Sequence, residues 1–347
     1  MVTPSRRVLV AGIGGASLGT ELLKCLKAVD RYTIFGCDVS NLAAGHYAGL
    51  ATETFLADRA RYVDSVLDIC HSQQIDAVIP GGEEPLQLLG RAGAKLKAEG
   101  IFLAANSPSV IATCSDKNSL FERLRELEIP VPWTLAVENL EDFEARCDIP
   151  YPCVIKPATG TGGSVFVTLV TDRAEALMTI KPLLTHGRRL LVQEYVPLDE
   201  GGEFTVGVLC YPNGHLVGSV AMQRVFHTKL SVLTKTTAGL ISTGYSQGLI
   251  QDFPDLQSQC EKIARALGSV GPMNIQGRLR QGLLLPFEVN PRFSASTYLR
   301  ALAGFNEVDI FLRHWFDGEV VDQKPVRAGY YLRNLSELYV PLEEVKG

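Results

Sequence analysis

The sequence lacks the features of membrane, secreted and nucleic-acid-binding proteins. None of its apolar runs approaches the roughly 20 residues of a membrane-spanning helix, and the N-terminal run is too short for a signal peptide. Its eight cysteines lie singly, without a CxxC pair or a Cys/His cluster, which indicates reduced thiols. The formal net charge of −5 offers no basic surface to a nucleic acid. We therefore expect a cytoplasmic protein that binds neither membrane nor nucleic acid and acts on small molecules.

Apolar runs and amphipathic stretches alternate over the first hundred residues. The amphipathic stretches lie near 17–28, 60–73 and 84–98, and the apolar runs are RVLVAG, YTIFGCD, DAVIPGG and IFLAA. This alternation predicts a doubly wound, Rossmann-like parallel sheet.

The glycine cluster after the first run, AGIGGASLG, is a candidate dinucleotide-binding turn. Gly12 and Gly14 fit the first two glycines of the GxGxxG pattern, and Asp38 lies where a ribose-binding carboxylate is expected. Ser17 occupies the third glycine position, and only Gly19 could replace it. An NAD-dependent oxidoreductase is therefore one hypothesis. The alternative is an ordinary strand–helix turn that presents backbone N–H groups to an anionic substrate.

The rest of the chain has a mixed and then an antiparallel pattern. DKNSLFERLRELEI has one apolar helical face, with Ser115 or Asp116 as its N-cap, and the prolines of PVPWT end that helix. Strands and one helix follow up to about residue 198, and hairpins follow after it. The predicted helices are near 172–184, 254–268 and 295–316, and the predicted hairpin turns are at 212–214 and 281–282.

PCVIKPATGTGG places Lys156 at the end of a strand, immediately before a glycine-rich stretch. Glycines let backbone N–H groups approach anionic oxygens, and the lysine ammonium adds charge, so the combination suits a phosphate. No GK[ST] follows the glycines, so this is not a Walker A loop. A flexible turn with an incidental lysine is the alternative.

VQEYVPLDEGGEFTV carries acids on both sides of a change in secondary structure. Glu194 and Glu203 could accept hydrogen bonds from ribose hydroxyls, while the extended EYV backbone could pair with an adenine edge. A solvated acidic loop is the alternative.

NIQGRLRQGLLLPFEVNPR carries the most specific pattern. Glu288 and Asn290 lie two apart on one strand, so they point to the same face, and Gln276 lies opposite them on the facing strand. Carboxylate and amide oxygens suit Mg²⁺ or Mn²⁺ rather than zinc. Arg292 follows and could hold a transferring phosphoryl group. Because LLLPFEVNP is too apolar for a wet surface strand, we favour a metal site.

These motifs, in this order, resemble the ATP-grasp superfamily, and within it the branch of the carbamoyl-phosphate synthase large chain. The matching stretches between about 115 and 305 are SDKNSLFERLRELEIPVPWT, VIKPATGTGGSVFV, VQEYVPLDEGGEFTV and NIQ…FEVNPRFSAS. The resemblance implies an N-terminal doubly wound pre-ATP-grasp domain followed by a two-subdomain ATP-grasp fold. The expected limits are 1–112 for the first domain, 113–198 for the lid subdomain, and 199–347 for the subdomain with the metal-binding hairpin. Glu128 departs from the family's usual glycine.

The resemblance also implies residue roles. Arg292 and Lys156 would act in catalysis, and Gln276, Glu288 and Asn290 would bind the metal. The cofactor-binding residues would be Lys117, Lys156, Gly162, Gly163, Ser164, Glu194, Val196, Glu203 and Asn274. Two extra residues lie between Glu194 and Glu203 relative to the common spacing, which leaves Glu200 as a weaker alternative for the ribose-binding acid.

The implied activity is that of an ATP- and Mg²⁺-dependent (or Mn²⁺-dependent) ligase. A substrate carboxylate would take the γ-phosphate as an acylphosphate, with ADP released, and an amine would displace the phosphate. The expected partners are a small carboxylate, a small amine and a second copy of the chain in a homodimer. One alternative is a bicarbonate- or carbamate-phosphorylating unit, and a less favoured one is the NAD-dependent oxidoreductase. Arg224 and Lys235 are candidates for holding a substrate carboxylate, with a surface loop as the alternative.

Overall fold

The structure, a computed structural model, describes residues 5–14, 18–159, 166–227 and 229–347. Its first sheet is parallel throughout, with strand order β3-β2-β1-β4-β5. The strands are β1 (Arg6–Ala11), β2 (Tyr32–Asp38), β3 (Glu53–Leu56), β4 (Ala77–Pro80) and β5 (Phe102–Leu103). The helices are α1 (Leu18–Lys27), α2 (Tyr62–Ser72), α3 (Glu83–Arg91) and α4 (Gly93–Ala98). The predicted doubly wound sheet is confirmed.

Two helices, α5 (Pro108–Ser115) and α6 (Lys117–Glu126), lead to a second sheet. This antiparallel sheet has the order β6-β9-β7-β8 and a core of its own. Its elements are β6 (Thr134–Val137), α7 (Leu140–Glu144), β7 (Cys153–Pro157), β8 (Thr168–Val170), α8 (Arg173–Thr185) and β9 (Leu190–Glu194).

The third sheet has the order β16-β15-β10-β11-β14-β17, and a two-stranded ribbon, β12-β13, lies beside it. The strands are β10 (Glu203–Cys210), β11 (Leu216–Arg224), β12 (Val232–Lys235), β13 (Leu240–Ser242), β14 (Gly248–Ile250), β15 (Pro272–Arg280), β16 (Leu283–Asn290) and β17 (Gly329–Tyr331). The helices are α9 (Pro254–Ala266), α10 (Thr297–Leu302) and α11 (Glu307–Asp317).

The first and third sheets share a hydrophobic core. Helix α1 packs against α10 and α11, and buried side chains of β1, β10 and β11 belong to the same cluster. This packing holds the carboxyl edge of the parallel sheet over the hairpin that carries the predicted metal ligands. The limits predicted for the three domains remain predictions.

Helix capping and backbone angles reflect several local features of the sequence. Asp116 is the N-cap of α6 and accepts a hydrogen bond from the Ser119 N–H at 3.0 Å. Glu128 has a φ of 55°, the left-handed conformation in which the family has glycine. The hairpin turn at Gln281 and Gly282 has φ values of 50° and 79°, as a tight hairpin with positive φ at both positions requires.

Two predicted helices are each divided. The stretch 84–98 forms α3 and α4, which meet at Ala92 between two glycines that weaken a helix. The stretch 295–316 forms α10 and α11, because Gly304 has a φ of 106° that a continuous helix does not permit. Among the residues that the structure describes, no helix combines the length and the apolarity needed to cross a membrane.

Candidate functional site

One cavity of about 630 Å³ lies where the three sheets meet. It is lined by the turn after β4, the inner face of the second sheet and the β15–β16 hairpin. All ten predicted site residues that the structure describes line it: Lys117, Lys156, Glu194, Val196, Glu203, Asn274, Gln276, Glu288, Asn290 and Arg292. The predicted flap residues Gly162, Gly163 and Ser164 lie outside the described residues.

Lys117 and Lys156 lie together at one wall of the cavity. Lys117 begins α6, and its backbone N–H donates to the Ala158 carbonyl at 3.0 Å, which fixes α6 to the end of β7. The Lys156 ammonium donates to Gln193 Oε1 at 2.8 Å and to the Phe287 carbonyl at 2.9 Å. Burial, and then the charge of Lys117, lower the pKa of Lys156 to about 7. Two neighbouring lysines whose positive charges repel each other favour a bound anion, and phosphate oxygens would be such an anion.

The β15–β16 hairpin places the predicted metal ligands side by side. Gln276 pairs with Glu288, as the sequence predicted, and Asn274 pairs with Asn290. Gln276 Nε2 donates to Glu288 Oε2 at 2.8 Å. The register shifts after Gln276, so Phe287 is the extra residue of a bulge, and its carbonyl accepts from Lys156. The bulge thus joins the lysine pair to the ligand set.

The side chain of Asn274 is held in one orientation by two hydrogen bonds to its amide oxygen. Its Oδ1 accepts from Thr205 Oγ1 at 2.9 Å and from Arg300 Nη2 at 2.6 Å. Arg300 is itself buried and ion-paired with Glu307 at 3.1 Å. Because both lone pairs of the amide oxygen are engaged, the amide NH₂ is the group of Asn274 that can serve an anion in the cavity.

Arg292 connects the hairpin to the N-terminal sheet. Its Nε donates to Glu83 Oε2 at 3.1 Å, its Nη1 to the Phe293 carbonyl at 2.9 Å, and its Nη2 to Asn290 Oδ1 at 3.4 Å. Glu83 is the first residue of α3. The contact with Glu83 therefore joins α3 to the hairpin beside the predicted metal ligands.

The hinge between β9 and β10 forms the end of the cavity that lies opposite Arg292. Glu194 is held by its side chain, which accepts from the Trp133 N–H at 3.1 Å and from Arg280 Nη2 at 2.6 Å. The Val196 carbonyl accepts from Arg278 Nη1 at 2.6 Å. Glu200 pairs with Arg280 at 3.3 Å and does not line the cavity.

Glu203 lies in a buried charge network. Its carboxylate pairs with Arg224 at 2.9 Å and with Arg278 at 2.9 Å, and its side chain has no exposed surface. Burial opposes its ionisation, but the two guanidinium charges outweigh burial and lower the pKa of the carboxyl. Arg224, considered as a ligand for a substrate carboxylate, instead holds Glu203 and the Thr243 carbonyl. Lys235 is exposed on β12 and does not line the cavity.

The N-terminal glycines are explained by packing. An added Cβ at Gly19 or Gly81 would lie 1.9 Å from the Gly12 carbonyl oxygen, so the turn after β1, the start of α1 and the turn after β4 touch through their backbones. The Asp38 carboxylate accepts from the Ile13 N–H at 2.8 Å and thus occupies a donor that a dinucleotide phosphate would need. Gly12 and Gly14 line a separate cavity of about 270 Å³.

Several site residues were missed by sequence reasoning. Arg278 lies two residues after Gln276 and could have been found from the alternation of β15. Glu83 follows the end of β4, where the rule on carboxyl ends of parallel strands applies. Arg300 and Gln193 have no local signal, since each meets its partners only through tertiary packing.

Two family models match separate parts of the chain. Residues 8–104 match a PylC-like N-terminal domain. Residues 186–338 match an ATP-grasp domain described as belonging to the biosynthetic pathway with the Ter operon. No group of three or more His, Cys, Asp or Glu side chains able to hold a metal occurs among the described residues.

Known proteins resemble the chain in sequence and in fold. The carbamoyl phosphate synthase large chain of Thermomicrobium roseum is 28% identical over 305 residues, which is 79% of this chain but only 27% of that relative. The L-amino acid ligase of Bacillus licheniformis has a TM-score of 0.68 at 16% identity, with 92% of this chain and 79% of that one covered. A biotin carboxylase domain of a Hydrogenobacter thermophilus carboxylase, solved with MgADP and bicarbonate, has a TM-score of 0.67 at 16% identity and covers 94% and 73%. The chain thus carries an ATP-grasp domain at residues 186–338 and a PylC-like N-terminal domain at residues 8–104, and its sequence is similar to that of carbamoyl phosphate synthase large chains.

Proposed function

We propose that the protein is an ATP-dependent ligase that activates a substrate carboxylate as an acylphosphate, releases ADP, and joins the acyl group to an amine. The observation that carries this proposal is the convergence of Lys117, Lys156, Glu288, Asn290 and Arg292 on one cavity. These residues come from the second and third sheets and their connecting helix, and each has a role that phosphoryl transfer requires.

Nucleotide binding would use the full length of the cavity. Adenine would lie at the hinge against Val196, and Lys156 and Lys117 would neutralise the phosphate oxygens. Phosphate charge beside Lys156 would raise its pKa from the lowered value of about 7 and so stabilise its ammonium form. Glu203 could still accept from a ribose hydroxyl, because each of its oxygens has more than one lone pair.

The donor set fits a hard divalent cation. Gln276 Nε2 points toward Glu288. The amide oxygen of Gln276 would then serve as a metal ligand, together with the Asn290 oxygen and the second Glu288 oxygen. All are oxygen ligands, and only Glu288 among the three carries charge, which suits Mg²⁺ or Mn²⁺ held jointly with phosphates. Held by Gln276, Glu288 and Asn290, such an ion would neutralise phosphate charge during phosphoryl transfer.

The remaining chemistry is positioning and exclusion of water. The substrate carboxylate supplies the attacking oxygen, and Arg292 with the Asn274 NH₂ would hold the oxygens of the transferring phosphoryl group. Closure over the acylphosphate protects it from hydrolysis until an amine attacks.

A second candidate is phosphorylation of bicarbonate or carbamate, favoured by the relatedness to carbamoyl phosphate synthase large chains. The chain carries one set of ATP-grasp motifs and spans about 27% of such a relative, so it would perform one phosphorylation rather than the whole synthase reaction. Bicarbonate-dependent ADP formation without an organic acid would identify this candidate.

We expect the enzyme to act in the cytoplasm as a homodimer. Exposed apolar side chains near the C-terminus, including Leu332, Leu335 and Tyr339, offer a surface for a second copy. Light scattering distinguishes a dimer from a monomer.

The test of the proposed activity is a screen of amino acids and other carboxylic acids with Mg-ATP and hydroxylamine. A substrate acid should give phosphate, ADP and a hydroxamate. Glu288→Ala should lower phosphate release at least ~100-fold, whereas Glu122→Ala, at an exposed position of α6, should leave it unchanged. Formation of AMP and pyrophosphate would contradict the acylphosphate mechanism, and full turnover in Glu288→Ala would contradict the metal assignment.

A further inference from the structure

We infer that Glu83 binds the protonated amine substrate and takes its proton before the amine attacks the acylphosphate. The inference rests on the proposed ligase function and adds a residue from the N-terminal sheet to the site. It assigns the nucleophile to a class: a cationic primary amine.

Glu83 is placed by the fold at the reacting end of the cavity. It is the first residue of α3, directly after the turn that follows β4, and it lines the same cavity as Glu288 and Asn290. One carboxylate oxygen accepts from Arg292 at 3.1 Å, and Arg292 in turn contacts Asn290 at 3.4 Å. Only one side chain therefore separates Glu83 from the predicted metal ligands.

The other carboxylates that line the cavity already have partners suited to other tasks. Glu194 is held at the adenine end by Arg280 and the Trp133 N–H. Glu203 is buried between two arginines. Glu288 pairs with Gln276 in the metal-binding hairpin. No histidine lines the cavity among the described residues, and Lys156 is held by Gln193 and the Phe287 carbonyl at the proposed phosphate site, so Glu83 is the carboxylate that remains as a base.

The partners of Glu83 allow it to change role during the reaction. Its side chain is 29% exposed, so an incoming ammonium can reach it. Its second oxygen has one weak contact, from Ser115 Oγ at 3.4 Å. Before substrates bind, Arg292 neutralises Glu83. Once Arg292 turns toward the transferring phosphoryl oxygens, Glu83 is left as an uncompensated carboxylate beside the acyl carbon, and an ammonium restores the balance of charge.

The protons and bonds of this step balance without another reactant. The ammonium gives one proton to the Glu83 carboxylate, and the nitrogen lone pair forms a C–N bond to the acyl carbon. The bond between that carbon and the phosphate oxygen breaks. The second proton lost from nitrogen goes to the departing phosphate, and Glu83 later releases its proton to solvent.

The experiment compares two nucleophiles in Glu83→Gln. Hydroxylamine is uncharged near neutral pH and needs no base, whereas the amines of the twenty protein amino acids are protonated. With Mg-ATP and an acid found in the screen, Glu83→Gln should lower amide formation at least ~100-fold more than it lowers hydroxamate formation. Glu83→Asp should restore part of the loss. Glu84→Gln, whose carboxylate is 67% exposed and pairs with Arg59, is the matched control and should change neither product.

The outcomes separate the two levels of the proposal. Equal loss of both products in a folded Glu83→Gln protein would overturn the inference, since Glu83 would then act only through Arg292 on phosphoryl transfer. Unchanged amide formation would overturn it as well. So would a wild type that makes hydroxamate but uses none of the cationic amines. A wild type that makes no hydroxamate with any acid would instead refute the proposed function.

Discussion

Replacing Glu203 with glutamine tests the buried charge network beneath the nucleotide hinge. Glu203 Oε2 accepts from Arg278 Nε and Nη2 at 3.0 and 2.9 Å, and Oε1 accepts from Arg224 Nη1 at 2.9 Å. A glutamine side chain has the same shape, but one acceptor becomes an NH₂ donor that faces a guanidinium donor. The substitution therefore removes the carboxylate that the two arginines share and leaves one donor without that acceptor.

The expected cost follows from burial. The side chains of Arg224 and Arg278 are 1% and 7% exposed, so water cannot replace the lost carboxylate. Removing one partner of a buried ion pair destabilises a protein by about 3–5 kcal/mol, because a buried charge is left uncompensated. We expect Glu203→Gln to lie in this range, and Glu203→Gln combined with Arg224→Met to recover part of the loss.

Urea and thermal unfolding measure this loss, with Glu200→Gln as the control. Glu200 is 37% exposed and pairs with the partly exposed Arg280, so its replacement should cost about 1 kcal/mol or less. The pH dependence has a definite sign. Because the arginines lower the pKa of Glu203, its contribution is fully present above the ordinary glutamate pKa of about 4.3 and is lost as the pH falls through the lowered value. The difference between wild type and variant should therefore shrink in acid.

Two results would refute this reasoning. If Glu203→Gln unfolds like the wild type but raises the KM for ATP, Glu203 is only a ribose ligand and the network contributes nothing to stability. If the double variant is less stable than Glu203→Gln, the uncompensated guanidinium is not the source of the cost.

Two further predictions concern the nucleotide. The pKa of Lys156 is lowered to about 7, and phosphate beside it would raise that pKa, so binding of Mg-ATP at pH 8 should take up a proton. Calorimetry in two buffers of different ionisation enthalpy should show the uptake in wild type and not in Lys156→Met; equal uptake in both would assign the proton elsewhere. Mg-ATP at 100 times its Kd should stabilise the protein by about 2.7 kcal/mol in a thermal shift, whereas NAD or NADP should not. A shift with NAD alone would return the glycine turn to a dinucleotide role.

Sequence patterns were sufficient for elements whose signal is local. The alternation of strands and helices predicted the parallel sheet, and the period of two placed Glu288 opposite Gln276 in the register that the structure has. The bulge at Phe287 was not predicted, although it turns a backbone carbonyl toward Lys156, because a bulge depends on how β16 packs rather than on a residue pattern.

The glycines after β1 resemble the GxGxxG pattern for a physical reason other than nucleotide binding. Gly12 and Gly19 resemble a phosphate-binding fingerprint, yet Gly19 lies so close to the Gly12 carbonyl that no Cβ fits, and Gly12 has a φ of 100° that favours glycine. A sequence pattern records that a side chain must be absent but not whether a ligand or another backbone fills the space.

The sequence by itself determined the chemistry available to this protein: two lysines, the carboxylate and amides of the predicted ligand set, and an arginine, on strands and helices that their periodicity specifies. The tertiary structure decided which groups meet. Only folding brings Glu83 to Arg292, 209 residues apart, and buries Glu203 between Arg224 and Arg278. Local periodicity fixes the face on which a side chain lies, whereas contacts between distant segments, and the pKa of a group such as Lys156, depend on the packing of whole sheets against one another.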